Sequence, residues 1–182
     1  MTQQEYKGFH SLLQLGVWSF MLDNINISDL ITSCYKTKKN NPSVFKTNHQ
    51  GGYQSSEEAV LKDSSYYSLI VRLNNLVQKF FKNPIFNIEE MWVNISPKGS
   101  YNSIHTHSYN ISELDSVSGV LYLQVPPNCG NFIAYNPLSL GLQLNYTPKP
   151  GQLLLFSKHL PHSVEPNQSD EDRISIAFNF KQ

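Results

Sequence analysis

The sequence of 182 residues is short of the features that mark several large protein classes. It has two cysteines, Cys34 and Cys129, far apart and without CxxC spacing, which excludes a cysteine-rich zinc site and fits a reducing compartment. Neither sign of charge is in excess, since 14 Lys and Arg balance 14 Asp and Glu. A balanced chain has no global field to attract nucleic acid or an anionic membrane surface, so neither is an expected partner and recognition must be local. No apolar run approaches the roughly 20 residues of a membrane-spanning helix, and no basic segment leads into an apolar one at the N-terminus. The expected location is therefore the cytoplasm. Internal repeats, low-complexity tracts and linkers are also missing, and the length fits one domain over 1–182.

What the chain does have is aromatic bulk, ten Tyr and ten Phe, a composition common in β-rich domains. Its first third reads as helical and irregular. Asn26 or Ser28 can cap a short helix carrying Leu30, Ile31 and Cys34, followed by a polar loop over 36–41 that ends at Pro42. Gly51-Gly52 reads as a tight turn into a short helix at Glu57-Glu58-Ala59-Val60-Leu61. The clearest helix spans 64–81, where Tyr66, Leu69, Ile70, Leu73, Leu76, Val77 and Phe80 recur at helical spacing before Asn83-Pro84 stops it.

From Ile85 onward the pattern changes to short β-branched and aromatic runs at 85–95, 100–107, 117–125, 131–135, 152–156 and 173–180. Pro97-Lys98-Gly99, the 126–130 segment and Pro150-Gly151 punctuate them. The expected fold is mainly β with flanking helices: a sandwich or jelly roll over 85–182, buttressed by a mainly helical 1–84.

The residues that can carry chemistry lie in this second half. On a strand, His105 and His107 share a face while Thr106 turns away, and a distant third histidine can complete one side of a metal ion. Three ligands on one side of an octahedral ion leave positions open, as non-haem Fe(II) oxygenases require. By spacing alone, His-x-His is an incidental pair; the downstream residues change that. The last strand places Ile174, Ile176, Phe178 and Phe180 on one face, and Arg173, Ser175, Ala177 and Asn179 on the other. The second face must line water or a ligand cavity, where Arg173 matches a carboxylate bidentately and Ser175 adds a hydroxyl. Glu89-Glu90 is not a catalytic pair, since adjacent strand residues face opposite ways.

Trp92-Val93-Asn94-Ile95, Tyr101-Asn102 with His105-x-His107, Ser118-Gly119-Val120-Leu121-Tyr122-Leu123, and the stretch from His159-Leu160-Pro161-His162-Ser163-Val164 through Arg173-Ile174-Ser175-Ile176-Ala177-Phe178-Asn179 resemble a family of 2-oxoglutarate/Fe(II)-dependent oxygenases with bacterial and marine phage members. The resemblance is dense over about half the chain and weaker at Gly51-Gly52-Tyr53. It implies a double-stranded β-helix holding Fe(II), with 2-oxoglutarate as co-substrate and dioxygen as oxidant. It also implies the host cytoplasm if the chain is phage-encoded. His105 looks like the family's first ligand and His162 like its distal histidine. Arg173 and Ser175 look like the Arg-x-Ser pair that meets the far carboxylate of 2-oxoglutarate. Tyr122 and Asn94 look like further co-substrate contacts.

One departure stands out, since His107 occupies the position where the wider superfamily carries Asp or Glu. Either His107 is the third ligand, or a nearby carboxylate, Glu113 or Asp115, folds back to replace it; the i, i+2 geometry favours His107. His159 competes with His162, and the spacing to Arg173 favours His162. The activity this implies is oxidation, most simply hydroxylation, of a small-molecule or peptidyl substrate with release of succinate and CO2. Two alternatives stay open: a non-catalytic jelly-roll binding protein, and a three-histidine cupin-type dioxygenase that does not use 2-oxoglutarate.

Overall fold

The computed structural model describes residues 16–44, 46–108, 110 and 116–181, with only the backbone of Leu140. Among these residues, three α-helices precede most of the β structure: α1 (Ile27–Asn40), α2 (Glu58–Leu61) and α3 (Tyr67–Phe81). Asn26 caps α1, its side chain accepting from the Asp29 amide at 3.3 Å. The helix then runs through the polar 36–40 stretch where the sequence reads as a loop. The physical reason is a buried stripe, Leu30, Cys34 and Thr37, which continues past the apolar residues, with Lys38 and Lys39 suiting the negative end of the helix dipole. Thr37 belongs to that stripe because its hydroxyl meets Ser33 O at 3.0 Å and the Tyr66 hydroxyl at 2.9 Å. The helix expected over 64–81 begins as a 3-10 turn, Ser64–Tyr66, and continues as α3, which buries Leu69, Leu73 and Val77. Lys82 then enters the left-handed region at φ 53°, ahead of Pro84.

Among the described residues, ten strands form two antiparallel sheets. They are β1 (Val17–Met21), β2 (Tyr53–Gln54), β3 (Asn87–Ser96), β4 (Asn102–His105), β5 (Val117–Gln124), β6 (Phe132–Asn136), β7 (Ser139–Tyr146), β8 (Gln152–Ser157), β9 (His162–Val164) and β10 (Arg173–Lys181). The large sheet has the order β1-β8-β5-β10-β3-β2, and the small one β4-β9-β6-β7. This is the expected mainly β architecture of a double-stranded β-helix with N-terminal helices. The nominally helical first half nevertheless contributes β1 at one edge and β2 at the other. Four strands have no counterpart in the sequence reading, because β2 and β9 are too short for periodicity and β1 and β7 are edge strands whose outward residues include Met21, Leu142 and Leu144.

The large sheet has two apolar faces. Met91, Val93, Ile95, Leu121, Leu123, Leu153, Leu155, Ile174, Ile176, Phe178 and Phe180 pack with Leu30, Cys34, Leu69, Leu73 and Val77 of the helices. Trp92, Val120, Tyr122, Leu154, Phe156 and Ala177 face the other way and meet Phe132 and Ala134 of the small sheet. Gly119 shows how tight the helix side is, since a Cβ there would stand 2.4 Å from the Phe178 ring. Burying both faces makes β5 and β8 nearly continuous apolar runs, while β3 and β10 keep polar residues on the inter-sheet face. Among the described residues no helix is long and apolar enough to cross a membrane.

Candidate functional site

Between the two sheets lies a cavity of about 250 Å³. Its floor follows directly from strand alternation. Glu90, Trp92, Asn94 and Ser96 of β3 line it, as do Arg173, Ser175, Ala177 and Asn179 of β10, while the intervening residues are in the helix-side core. The polar face of the last strand thus lines a cavity, as its alternation requires.

Three histidines converge on one wall. His105 ends β4 and His162 begins β9, and the two are register partners across that ladder. Their ring centroids are 4.2 Å apart; His107 lies 4.9 Å from His162 and 5.3 Å from His105. One ring nitrogen of each lies within 4.8 Å of the others. His107 is not on the strand that should have aligned it with His105. It follows the end of β4 and is held by its amide, which donates to Lys158 O at 2.8 Å. Thr106, expected to turn away, also lines the cavity.

The hydrogen bonds fix which nitrogens are free. His105 Nδ1 is 2.8 Å from Ser103 O, and His162 Nδ1 is 2.9 Å from Leu160 O. A carbonyl only accepts, so both Nδ1 atoms carry protons and both Nε2 atoms carry lone pairs. His107 Nδ1 is 2.7 Å from Asn179 Oδ1 and 2.8 Å from Ser118 Oγ. Burial lowers the pKa of all three: His105 below the ordinary value, His107 to about 4 and His162, 4% exposed, well below 6.5. Unprotonated imidazoles with converging lone pairs and anchored second nitrogens are what a transition-metal ion requires of a protein. Glu113 and Asp115 lie outside the described residues. His159 does not line the cavity; its amide donates to Ser157 Oγ at 3.2 Å and its Nε2 is buried without a partner.

The other candidate residues form a second cluster. Ser175 pairs with Asn94 on β3 and with Tyr122 on β5, so the three stand side by side on the cavity face, with Arg173 next along β10. Arg173 is 3% exposed. One of its terminal nitrogens donates to Cys129 O and, at 3.0 Å, to Glu165 O. Burial works against its charge, and Tyr122, Cys129 and Glu165 support it. Among the described residues no carboxylate forms an ion pair with it; the nearby Glu165 side chain instead accepts from the Asn131 amide at 2.9 Å. Burial also pushes the Tyr122 phenol upward, while Arg173 pulls it back, so the hydroxyl is protonated at neutral pH.

Several lining residues were not singled out in the sequence. Glu90 and Glu89 do face opposite ways, Glu89 pairing with Lys181 at 2.9 Å, but Glu90 lines the cavity and accepts from Asn179 Nδ2. Its phase with Trp92 and Asn94 on β3 was the available signal. Lys46, Thr47 and Gln54 come from the irregular first half, where no periodicity marks them. Lys46 pairs with Glu57 and stands 5.7 Å from the Trp92 ring centroid.

Residues 135–179 match the family described as "Putative 2OG-Fe(II) oxygenase". No curated protein matches the sequence. Among solved structures, a prolyl-4-hydroxylase of Pseudomonas putida superposes with a TM-score of 0.69 at 18% identity, covering 95% of this chain and 96% of that one. The epimerase SnoN of nogalamycin biosynthesis, crystallised with Fe3+, alpha ketoglutarate and nogalamycin RO, gives 0.78 at 13% identity over 95% and 81%. A Trichoplax adhaerens prolyl hydroxylase, in complex with a hypoxia inducible factor peptide fragment, gives 0.68 at 14% identity over 99% and 93%. At these identities the structural likeness concerns the fold.

Proposed function

We propose that the chain, whose residues 135–179 match the 2OG-Fe(II) oxygenase family, forms over 1–182 one Fe(II)- and 2-oxoglutarate-dependent dioxygenase domain that oxidises, most simply hydroxylates, a small-molecule or peptidyl substrate. His105, His107 and His162 would hold Fe(II) through Nε2. Arg173 and Ser175 would hold the far carboxylate of 2-oxoglutarate, with Tyr122 and Asn94 beside it. The observation that carries this reading is Arg173. A guanidinium buried to this degree is costly without an anion, and its hydrogen bonds to two neutral carbonyls do not neutralise it.

When bound, iron supplies the redox chemistry that couples loss of CO2 from the co-substrate to oxidation of the substrate by dioxygen, leaving succinate. The chain's own part is binding and exclusion. Arg173 presents donors to a carboxylate in a site shielded from water, where charge-assisted bonds are strongest. The protonated Tyr122 hydroxyl and Ser175 can each donate beside it. Phe132 and Phe156, whose ring centroids lie 5.3 and 4.7 Å from that of His162, wall the histidines with apolar surface. Lys46 and Trp92, also on the lining, are available to the substrate.

The relatives in complex with a peptide fragment and with nogalamycin RO are consistent with either substrate class. The test is anaerobic titration with Fe(II) and then 2-oxoglutarate, followed by succinate release in air. Saturable binding of both, with 2-oxoglutarate binding lost and Fe(II) binding kept in Arg173→Ala, supports the reading. Metal binding with no affinity for 2-oxoglutarate would instead favour a three-histidine dioxygenase of another type.

A further inference from the structure

His107 differs from its two neighbours in how its second nitrogen is held. His105 and His162 donate to main-chain carbonyls, which cannot reorient, whereas His107 Nδ1 meets two side chains, Asn179 Oδ1 and Ser118 Oγ. Those side chains must themselves be oriented.

The sheet supplies the orientation. Asn179 stands opposite Ser118 across the β10–β5 ladder and opposite Glu90 across the β10–β3 ladder. Immediately beyond, the β10–β3 register shifts so that Phe180 faces Ile88, and Glu89 is left out of the pairing. Asn179, 4% exposed, accepts from Ser118 Oγ at 2.7 Å, and its Nδ2 donates to the Glu90 carboxylate. Only one assignment satisfies every contact. A carboxylate accepts and does not donate, so the Asn179 NH2 must face Glu90 and its carbonyl must face His107. That carbonyl requires a proton on His107 Nδ1. The opposite tautomer would set a ring lone pair against the amide oxygen at 2.7 Å.

We propose that Glu90 and Asn179, with Ser118, are positioning residues for His107. They lock its ring as the Nδ1–H tautomer, which leaves Nε2 for the metal. Through two hydrogen bonds they also return to the site the carboxylate that a three-histidine ligand set lacks. The inference rests on the reading of His107 as a metal ligand. A ligand histidine whose other nitrogen donates toward a carboxylate is held in place and made more basic, and removing such a partner costs roughly 10- to 100-fold in metal affinity. Here the carboxylate acts through an amide.

Two measurements test this. In metal-free protein with nitrogen-15-labelled histidine, His107, assigned by its loss in His107→Gln, should show a proton on Nδ1; a proton on Nε2 would overturn the proposal. In anaerobic Fe(II) titrations, Asn179→Ala should bind roughly 10- to 100-fold more weakly than wild type. Glu90→Gln, which keeps an acceptor but loses the charge, should be intermediate. Glu89→Gln, on the opposite face, should match wild type. Undiminished affinity in both Asn179→Ala and Glu90→Gln would overturn the proposal while leaving the iron site intact. Equal losses in Glu89→Gln and Glu90→Gln would overturn it too, since the effect would then be one of net charge. Should Asn179→Ala fail to fold, Glu90→Gln at the cavity wall and the tautomer of the wild-type protein decide the matter. Failure of wild type to bind Fe(II) would sink the reading of the site itself.

Discussion

His105 and His162 face each other directly across the β4–β9 ladder, with ring centroids 4.2 Å apart, although the four strands β5 to β8 intervene between them in sequence. A pair set by main-chain hydrogen bonds does not depend on side-chain flexibility for its alignment. Each ring is further tied through Nδ1 to a carbonyl two residues earlier on its own chain segment. Replacing either with Ala should therefore remove one of two rigid donors and lower Fe(II) affinity by more than about 100-fold. Metal content after anaerobic loading and gel filtration reads this directly. Retention of one equivalent of iron by both variants would show that the metal lies elsewhere.

Arg173 has a different role and should give a different kinetic signature. Arg173→Ala removes charge-assisted bonds of about 2–4 kcal/mol, so KM for 2-oxoglutarate should rise roughly 30- to 1000-fold. Arg173→Lys should recover only part of this, because an ammonium cannot offer the same planar fork. Succinate release against co-substrate concentration is the measurement, and an unchanged KM in Arg173→Ala would exclude the assignment.

Gly130 supports that arginine from behind. It sits at φ +85°, and a Cβ there would stand 2.6 Å from Glu165 O, one of the two carbonyls that Arg173 holds. The other belongs to the adjacent Cys129. Gly130→Ala should therefore cost about 1–3 kcal/mol and lower Tm by several degrees, with KM for 2-oxoglutarate rising more than kcat falls. Thermal melts alongside steady-state kinetics test both halves.

The alkaline limit of stability should involve Cys34 of α1. Its thiol is fully buried in the helix-side core, and burial raises its pKa from 9.0 to about 12, against a smaller opposing effect from Tyr66. Above pH 9 the unfolded chain loses this proton while the folded one keeps it, so the contribution is complete below about 9 and disappears as pH rises toward about 12. Stability should decline across that window, less steeply in Cys34→Ala. Both cysteines are buried and unpaired, so neither should react with a thiol reagent at pH 8 until the protein unfolds.

Much of the site was legible because β-strand geometry is periodic. Alternation on β10 separated Ile174, Ile176, Phe178 and Phe180 from Arg173, Ser175, Ala177 and Asn179, and the first set is in the core while the second lines the cavity. The helix over 64–81 was readable for the same reason, whereas 36–40 was not, because Thr37 is buried by a hydrogen bond to a distant tyrosine rather than by its own hydropathy.

Sequence by itself determined the residue types and their faces: three histidines, an arginine with a serine two residues on, and strands with one polar side. Tertiary structure alone decided which of these meet. It brought β9 beside β4, set Tyr122 and Asn94 on either side of Ser175, and held His107 in line from beyond the end of its strand through Lys158 O. It also turned Glu90 from half of an uninformative acidic pair into the partner of Asn179. The reason is physical. Facing is a local property fixed by the pleat, while pairing and register depend on which distant strands share hydrogen bonds and on the bulge that lets Phe180 skip Glu89.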